Sequence, residues 1–581
     1  MTYLLNDPTK FADELAEGFV AAHRGKICAV DGGVIRLHKA KPGQVVLVIG
    51  GGSGHYPAFG GFVGQGLAHG AAMGNVFASP SAQQICNVAQ AVDAGGGILF
   101  CYGNYAGDVL NFNQAQQRLR AMGIDVRSVV VTDDIASASI AEKHKRRGIA
   151  GALPVFKAAA VAADAGKSLD EVFRIATEAN ERVRTLGVAF SGCTLPGAGK
   201  PLFEVASGKM EIGMGIHGEP GISRMDAPSA DGLAEILVSR LLVEMPSMIE
   251  DRRGARIGVI LNGLGAVKYE ELFVVYRKVD RLLSAHGLTI VEPVVDELIT
   301  SFDMAGISLT LFRMNDELEQ TWLAAADTPA FHRGNVVQSN ENKADPLQLG
   351  NRQRLKTGSA VSQATATVVL AALEAAYAAI DAKREELGCL DAIAGDGDHG
   401  IGMQRGLAAA VAAAKEALDA KVGAGTLLTV AGDAWSNRAG GTSGALWGVI
   451  LRSLGGALGD EAQPDVTAIA DGIAAALRGV TDLGKAQLGD KTLVDVLHPI
   501  SVSMDSSASR NLSMDAAWNA AADVADAAAQ ATGNLLPKIG RARPHAEKSI
   551  GTPDPGAVSM ALIVRSIAIA LKKHCTTFGD V

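Results

Sequence analysis

"VVLVIGGGSGHYPAFGGFVG", residues 45–64, decides between several folds. Val45–Ile49 is a β-branched, wholly apolar run, which suits a strand covered on both faces rather than one with a wet side. It stops at Gly50-Gly51-Gly52-Ser53-Gly54, and the next residue, His55, is one of only twelve histidines. A strand ending on a glycine loop is where α/β sheets collect ligands. The dinucleotide pattern G-x-G-x-x-G, counted from Gly50, would place its third glycine on His55, so that reading fails. What stays open is a tight turn or a small-molecule loop with a histidine held against backbone.

The surroundings of this stretch set the architecture. Residues 97–101, 126–132, 256–261 and 289–295 repeat the short apolar pattern and alternate with helical stretches, which predicts α/β layers over roughly the first 330 residues. A Gly/Pro-rich passage at 183–222 divides this half, giving a first part at 1–185 and a second at 186–331. Residues 332–359 turn polar without periodicity and read as a linker. From 360 to 581 the chain is Ala/Leu-rich with helical spacing and nearly free of strand signals, so an all-α domain is expected.

Bulk properties limit the function. At 581 residues the chain exceeds one core, and about three or four units are expected. With 48% hydrophobic and 20% charged residues and a formal charge of −9, it offers no basic stripe for nucleic acid. The short run Lys143–Arg147 reads as a solvated helix end. Six cysteines without CxxC spacing read as reduced thiols of a cytoplasmic protein. No basic-then-apolar leader opens the chain, and no unbroken apolar run approaches the ~20 residues of a membrane span, so neither secretion nor a membrane is expected.

Two groups of motifs carry chemistry. In the first half, "FCYGNYAGDVLNF" sets Asp108 just beyond a strand end, and "GMGIHGEPG" suspends His217 among four glycines. Each residue alone could be a hydrogen-bonded structural group. A His–Asp–His set beside a glycine loop suggests acid/base work on a small hydroxylated molecule. In the second half, "CLDAIAGDGDHGIGM" places Asp391, Asp396 and Asp398 within eight residues. Carboxylates that close repel unless neutralised, and a hard divalent cation is the economical answer. Further Gly/hydroxyl loops at 440–444, 489–492 and 549–556 suit phosphates at helix N-termini. "GVTDLGKA" mimics a Walker loop but has Ala486 where the metal-binding hydroxyl belongs. Together these features point to phosphoryl transfer from a Mg-nucleotide.

"GGGSGHYPAFGGFVGQG", "GNVFASPS", "NYAGDVLNF", "GIHGEPG", "LNGLG", "GDGDHG", "GGTSGALWG", "GDKTLVDVL" and "SIGTPDPGA", in that order, resemble the dihydroxyacetone kinase family over nearly the whole chain. The resemblance is to its single-chain, ATP-dependent form with a ketose-binding K domain and a nucleotide-binding L domain. It implies that the L domain is an antiparallel α-helical barrel, and that His217 forms a hemiaminal with the substrate ketone. Asp108 would take the proton of the attacking hydroxyl, and His55 would assist acid/base steps. Gly52, Ser53, Gly54 and Asn104 would complete the ketose pocket. It implies Mg²⁺ on Asp391, Asp396 and Asp398. It also implies ATP contacts at His399, Gly400, Ile401, Gly402, Thr442, Ser443, Gly484, Lys491, Thr492, Asp554, Pro555 and Gly556. A homodimer with the K domain of one subunit facing the L domain of the other is implied as well. One departure stands out: Gly103 precedes Asn104, where dihydroxyacetone-specific members commonly carry a lysine. A four-carbon ketose such as erythrulose is therefore expected. FAD cyclisation at the same nucleotide site and ketose sensing without catalysis are the alternatives that relatives suggest.

Overall fold

The computed structural model describes residues 4–219, 221–245, 254–336, 355–395, 397–539 and 548–578. The chain divides into two units, residues 1–350 and 351–581.

The first unit holds two sheets. One contains β1 (Ile27–Val30), β2 (Gly33–Arg36), β3 (Val46–Ser53), β4 (Gly70–Val76), β5 (Ile98–Gly103) and β6 (Val126–Val131), in the order β1-β2-β4-β3-β5-β6. Strands β4, β3, β5 and β6 are parallel, with Val46 beside Ile98 and Ile49 beside Cys101. The other contains β7 (Val183–Ala189), β8 (Lys209–Ile212), β9 (Ser223–Asp226), β10 (Arg256–Gly263), β11 (Thr289–Ile290), β12 (Val294–Asp296) and β13 (Gly306–Arg313). Its order is β11-β10-β13-β7-β8-β9, with β12 also on β10, and the β10–β13–β7–β8–β9 pairings are antiparallel. β7 begins at Val183, two residues ahead of the division read from the sequence.

Helices α1 (Phe11–Ala22), α2 (Ala82–Val92), α3 (Ala106–Ala121), α4 (Ala152–Asp164), α5 (Leu169–Glu181), α6 (Ala230–Glu244), α7 (Tyr269–Ala285) and α8 (Asp316–Leu323) clothe these sheets. The period of two along each strand decides which helices it meets. Val46, Val48, Phe100 and Tyr102 face one way and share a core with α2 and α3. Leu47, Ile49, Leu99 and Cys101 face the other way, onto α4 and α5. That same core takes Val183, Ile260 and Phe312 from the second sheet, so α4 and α5 are sandwiched between the sheets. Leu186, Val259 and Leu309 face outward onto α6 and α7. The result is five layers, and the apolar strands are apolar because both faces are covered.

The expected linker is partly structured: His332–Arg333 pairs with Ala326–Asp327, and Ser359 caps the next helix through Ser362 N. Residues 337–354 lie outside the described residues.

The second unit is all-helical among the described residues: α9 (Ala360–Ala382), α10 (Arg384–Asp391), α11 (His399–Asp419), α12 (Ala424–Ala439), α13 (Gly441–Leu458), α14 (Val466–Gly484), α15 (Val494–Ser509), α16 (Met514–Ala531) and α17 (Pro555–Phe578). From α11 to α17 each helix packs on the next, and both α11 and α17 pack on α9, so eight helices close a ring; α10 rests on α11. Short connections, down to the single Gly440 between α12 and α13, force neighbours to run antiparallel. This is the antiparallel helical barrel expected from the resemblance. Asp391 is the last residue of α10. By length and composition α9 and residues 555–572 could each cross a membrane; both are members of this ring.

Candidate active site

The first centre forms where the two sheets of the first unit meet. His55 and Asp108 leave the carboxyl ends of the adjacent parallel strands β3 and β5, and Asp108 sits in the first turn of α3, where the helix dipole favours a carboxylate. His217 comes from the connection between β8 and β9 in the other sheet. Residues 298–302 bind the two together: Ala58 N donates to Leu298 O, Thr300 N to His55 O, Phe302 N to Gly54 O, and Ser301 Oγ to Ile216 O.

This clamp brings the two histidines into contact. His55 Nε2 lies 2.9 Å from His217 Nε2, and the rings meet edge-on at 4.6 Å. His55 Nδ1 is 2.8 Å from the Thr300 carbonyl, and His217 Nδ1 is 3.1 Å from Glu219 Oε1. A carbonyl and a carboxylate accept only, so each Nδ1 carries a hydrogen. The Nε2–Nε2 contact then needs one further proton, and the pair together holds a single positive charge. Burial, then the charge of His217, drive His55 down to about 3, which makes His55 the accepting side of the contact. Phe77 stacks on His55 at 4.7 Å, and Tyr105 meets His217 edge-on at 4.6 Å.

Several expected pocket residues serve the protein first. Ser53 Oγ donates to Gly74 O, and both hydrogens of the Asn104 amide go to the carbonyls of His144 and Arg146. The glycines are explained by protein neighbours. A Cβ on Gly51 would run into the Phe59 ring, one on Gly52 would lie 2.7 Å from Ala78 N, and one on Gly54 (φ +99°) would lie 2.6 Å from Phe302. At Gly103 an added Cβ would lie 3.0 Å from the Tyr105 ring and 3.2 Å from Gly148 O. The space a side chain would use there is therefore occupied by Tyr105.

The second centre is one end of the helical ring. In an antiparallel ring the N-termini of α11, α13, α15 and α17 all lie at the same end, with the C-terminus of α14. The expected nucleotide residues map there: His399–Gly402 open α11, Thr442 and Ser443 open α13, and Gly484 closes α14. Lys491 and Thr492 precede α15, and Asp554–Gly556 open α17. Four helix N-termini gathered at one end, each with its positive dipole end there, suit an anion. Hydrogen bonds fix it: His399 Nε2 lies 3.0 Å from Ser559 Oγ, Lys491 Nζ donates to Ser549 O and Leu535 O, and Asp554 caps α17 through Ala557 N. Burial, joined by the charges of Asp391 and Asp495 against the Ala557 hydrogen bond and Lys491, pushes Asp554 up to about 7. Beyond that burial, carboxylate charge from Asp391 and Asp495 gathers around Asp554. Asp391 and Asp398 stand at this end, Asp391 accepting from His399 N. Asp396 lies outside the described residues. Among the described residues no three His, Cys, Asp or Glu side chains form a ready ligand set. The oxygen donors and the gathered carboxylate charge nevertheless suit a hard divalent cation accompanying phosphate.

Sequence reasoning singled out both histidines but not Glu219, Thr300, Arg147 or Tyr105. Glu219 was within reach, being two residues past His217 in the same glycine-rich stretch. Thr300 carries no local signal, because tertiary contacts bring it in. Arg147 ends the run 143–147 that reads as a solvated helix end, but Arg146 is buried against Glu244 and Arg147 pairs with the buried Asp134, so only the first part of that run is solvated.

One unit that pairs two histidines where its two sheets meet, and another that gathers four helix N-termini with Asp391 and Asp398 at one end of a helical ring, fit a two-part phosphotransferase. The chain belongs to the dihydroxyacetone kinase family: a Dak1 domain matches residues 17–330 and a DAK2 domain residues 393–569. It is 56% identical to an L-erythrulose kinase of Pectobacterium atrosepticum, over 99% of this chain and 98% of that one. It is 50% identical to a D-erythrulose kinase of Mycolicibacterium smegmatis, over 98% of each. The dihydroxyacetone kinase of C. freundii, solved in complex with AMP-PNP and Mg²⁺, is similar over 98% of this chain and 99% of that one, at 28% identity and a TM-score of 0.52.

Proposed function

We propose that the protein phosphorylates a primary hydroxyl of erythrulose with ATP, holding the ketone as a hemiaminal on His217. The ketose kinase activity follows from the family; the four-carbon substrate and the residue roles are the additional reading. The observation that carries it is the His55–His217 pair, Nε2 to Nε2 at 2.9 Å, each Nδ1 set against an acceptor.

The proton between the two Nε2 atoms accounts for the addition step. His217 passes its Nε2 proton to His55 Nε2, and the freed Nε2 lone pair forms a bond to the ketone carbon as the C=O π bond breaks. The resulting alkoxide takes the proton from His55. The product is a tetrahedral carbinol on an N-substituted imidazolium, so charge and protons balance. An alcohol such as glycerol lacks the carbonyl and is not trapped. Asp108 then accepts the proton of the primary hydroxyl, whose oxygen takes the γ-phosphoryl group as the bond to ADP breaks. Asp391 and Asp398, with Asp396, would hold Mg²⁺, which when bound neutralises phosphate charge. The helix N-termini of the second unit orient the phosphates.

One observation supports the four-carbon sugar: the two relatives above that match the whole chain at half identity or better are named for erythrulose. Gly103 is the sequence departure that accompanies it, and the Tyr105 ring stands beside it. Comparing kcat/KM for dihydroxyacetone, D-erythrulose and L-erythrulose tests this. An erythrulose enantiomer should lead by about tenfold, and Gly103→Lys should shift the ratio towards the three-carbon sugar. A clear preference for dihydroxyacetone would remove the proposal. ADP release that depends on ketose separates the kinase from FAD cyclisation and from ketose sensing.

A homodimer in which the two units of different subunits work together is also proposed. Mixing inactive His217→Ala and Asp398→Asn proteins should then restore about a quarter of wild-type activity, because half the random dimers hold one intact pair of sites. Activity that stays at the level of the separate variants would rule this out.

A further inference from the structure

The His217 ring is held by more than its loop. Glu219 folds back beneath it: Oε2 accepts from His217 N at 3.0 Å, and Oε1 faces His217 Nδ1 at 3.1 Å. Its side chain is mostly buried, with 22% exposure. Behind it stands Arg147, whose Nη1 lies 3.7 Å from Glu219 Oε2. Arg147 is itself anchored, with Nε on Asp134 Oδ2 at 2.9 Å and Nη2 on Gly213 O at 3.0 Å. Gly215 is part of the arrangement, since a Cβ there would collide with both Glu219 Oε2 and Arg147 Nη1. Gly215 therefore makes room for the Glu219 carboxylate and the Arg147 guanidinium.

We propose that Glu219, seated on the Arg147–Asp134 pair, is a positioning residue that fixes the His217 ring with Nδ1–H turned inward and Nε2 presented to the ketone, and that its negative charge stabilises the imidazolium produced by addition. This rests on the hemiaminal reading of His217. The electrostatics agree: burial opposes ionisation of Glu219, but the His217 charge and hydrogen bond, then Arg147, outweigh it and hold the carboxyl well below its usual range. The proton count also requires it. In the resting pair His217 carries hydrogens on both nitrogens, and in the adduct it carries carbon on Nε2 and hydrogen on Nδ1. The ring is cationic in both states, and Glu219 is the anion that touches it. The titratable groups around this carboxylate are His55, His217, Tyr105, Arg147, Asp134 and Cys193, from five different segments.

The test compares Glu219→Gln and Glu219→Asp in the full chain, with kcat/KM for erythrulose as a function of pH. Gln keeps an acceptor at Nδ1 and removes the charge. Losing the anion makes the pair release its extra proton more readily, so the alkaline limb should move to lower pH by about one unit. The plateau should fall roughly 10²-fold. Asp keeps the charge on a shorter arm, so its limb should stay with the wild type while the plateau falls less. A Gln variant within twofold of wild type overturns the proposal. So does a lowered plateau with an unmoved limb, which would be a structural role only, or an Asp variant that behaves like Gln. If Gln does not fold, the position of the Asp limb decides. Carbon NMR of carbonyl-labelled erythrulose on each protein keeps the two readings apart. A wild type without a tetrahedral signal removes the hemiaminal itself, whereas a tetrahedral signal and pH limb unchanged in Gln remove only Glu219.

Discussion

His217→Ala is expected to lower kcat/KM for erythrulose by about 10³-fold or more and to abolish the covalent ketose complex, with ATP binding intact. The size of the effect comes from what the ring does. A short ketose offers few atoms for binding, so a covalent bond to the ketone supplies the orientation that contacts cannot, and positioned groups of this kind are worth several powers of ten. Alanine also leaves His55 without the partner at 2.9 Å that shares its proton. The loss should appear in both kcat and KM, because the same bond holds and orients the sugar. A variant with wild-type kcat and only a raised KM would show that His217 binds without bonding.

Asp398→Asn is expected to reduce ATP turnover by about 10³-fold while leaving the ketose complex at its wild-type level. The Asp398 side chain makes no capping bond to α11, so replacing it with the equal-sized asparagine removes no cap and the melting temperature should hold. What changes is the negative charge available to a divalent cation at the phosphate-binding end. Mass measurement of the ketose complex alongside ADP release checks both halves. Equal loss of ketose binding would contradict the division of labour between the units.

The parts of the fold that were legible are those whose residues had no alternative. Val45–Ile49 is apolar throughout, and a run covered on both faces between α2/α3 and α4/α5 can be little else. The Ala/Leu periodicity of residues 360–581 likewise left only helices. Other strands were hidden for physical reasons. β4, "GAAMGNV", has no β-branched residue before its last, Val76, because Gly33 and Gly50 approach Ala71 and Ala72 closely. β13 alternates Ser308 and Thr310 with apolar residues, which reads as a strand with a wet face. Both hydroxyls are in fact buried, Thr310 against Thr185 at 2.8 Å and Ser308 against Asn262 at 3.1 Å. β9 has every residue exposed and offers no hydrophobic signal at all.

The site was legible in its histidines and less so in its reasons. Gly50–Gly54 read as room for a sugar, yet the space beside these glycines is taken by Ala72, Phe59, Phe77 and Phe302. At Gly103 the neighbour is again protein, the Tyr105 ring. In both places the glycine allows protein to approach protein, and only the three-dimensional arrangement could show which neighbour arrives. Glu219 has the opposite history, lying in plain view and acquiring meaning once its carboxylate is seen against Nδ1 of His217.

The central claim is that the ketone is bonded to His217. The direct measurement is carbon NMR of carbonyl-labelled erythrulose mixed with the protein in the absence of nucleotide. The expected result is a labelled carbon in the tetrahedral range on wild-type protein and its absence on His217→Ala. A bound sugar whose label stays in the carbonyl range on the wild type, or a tetrahedral signal that survives in His217→Ala, would contradict it.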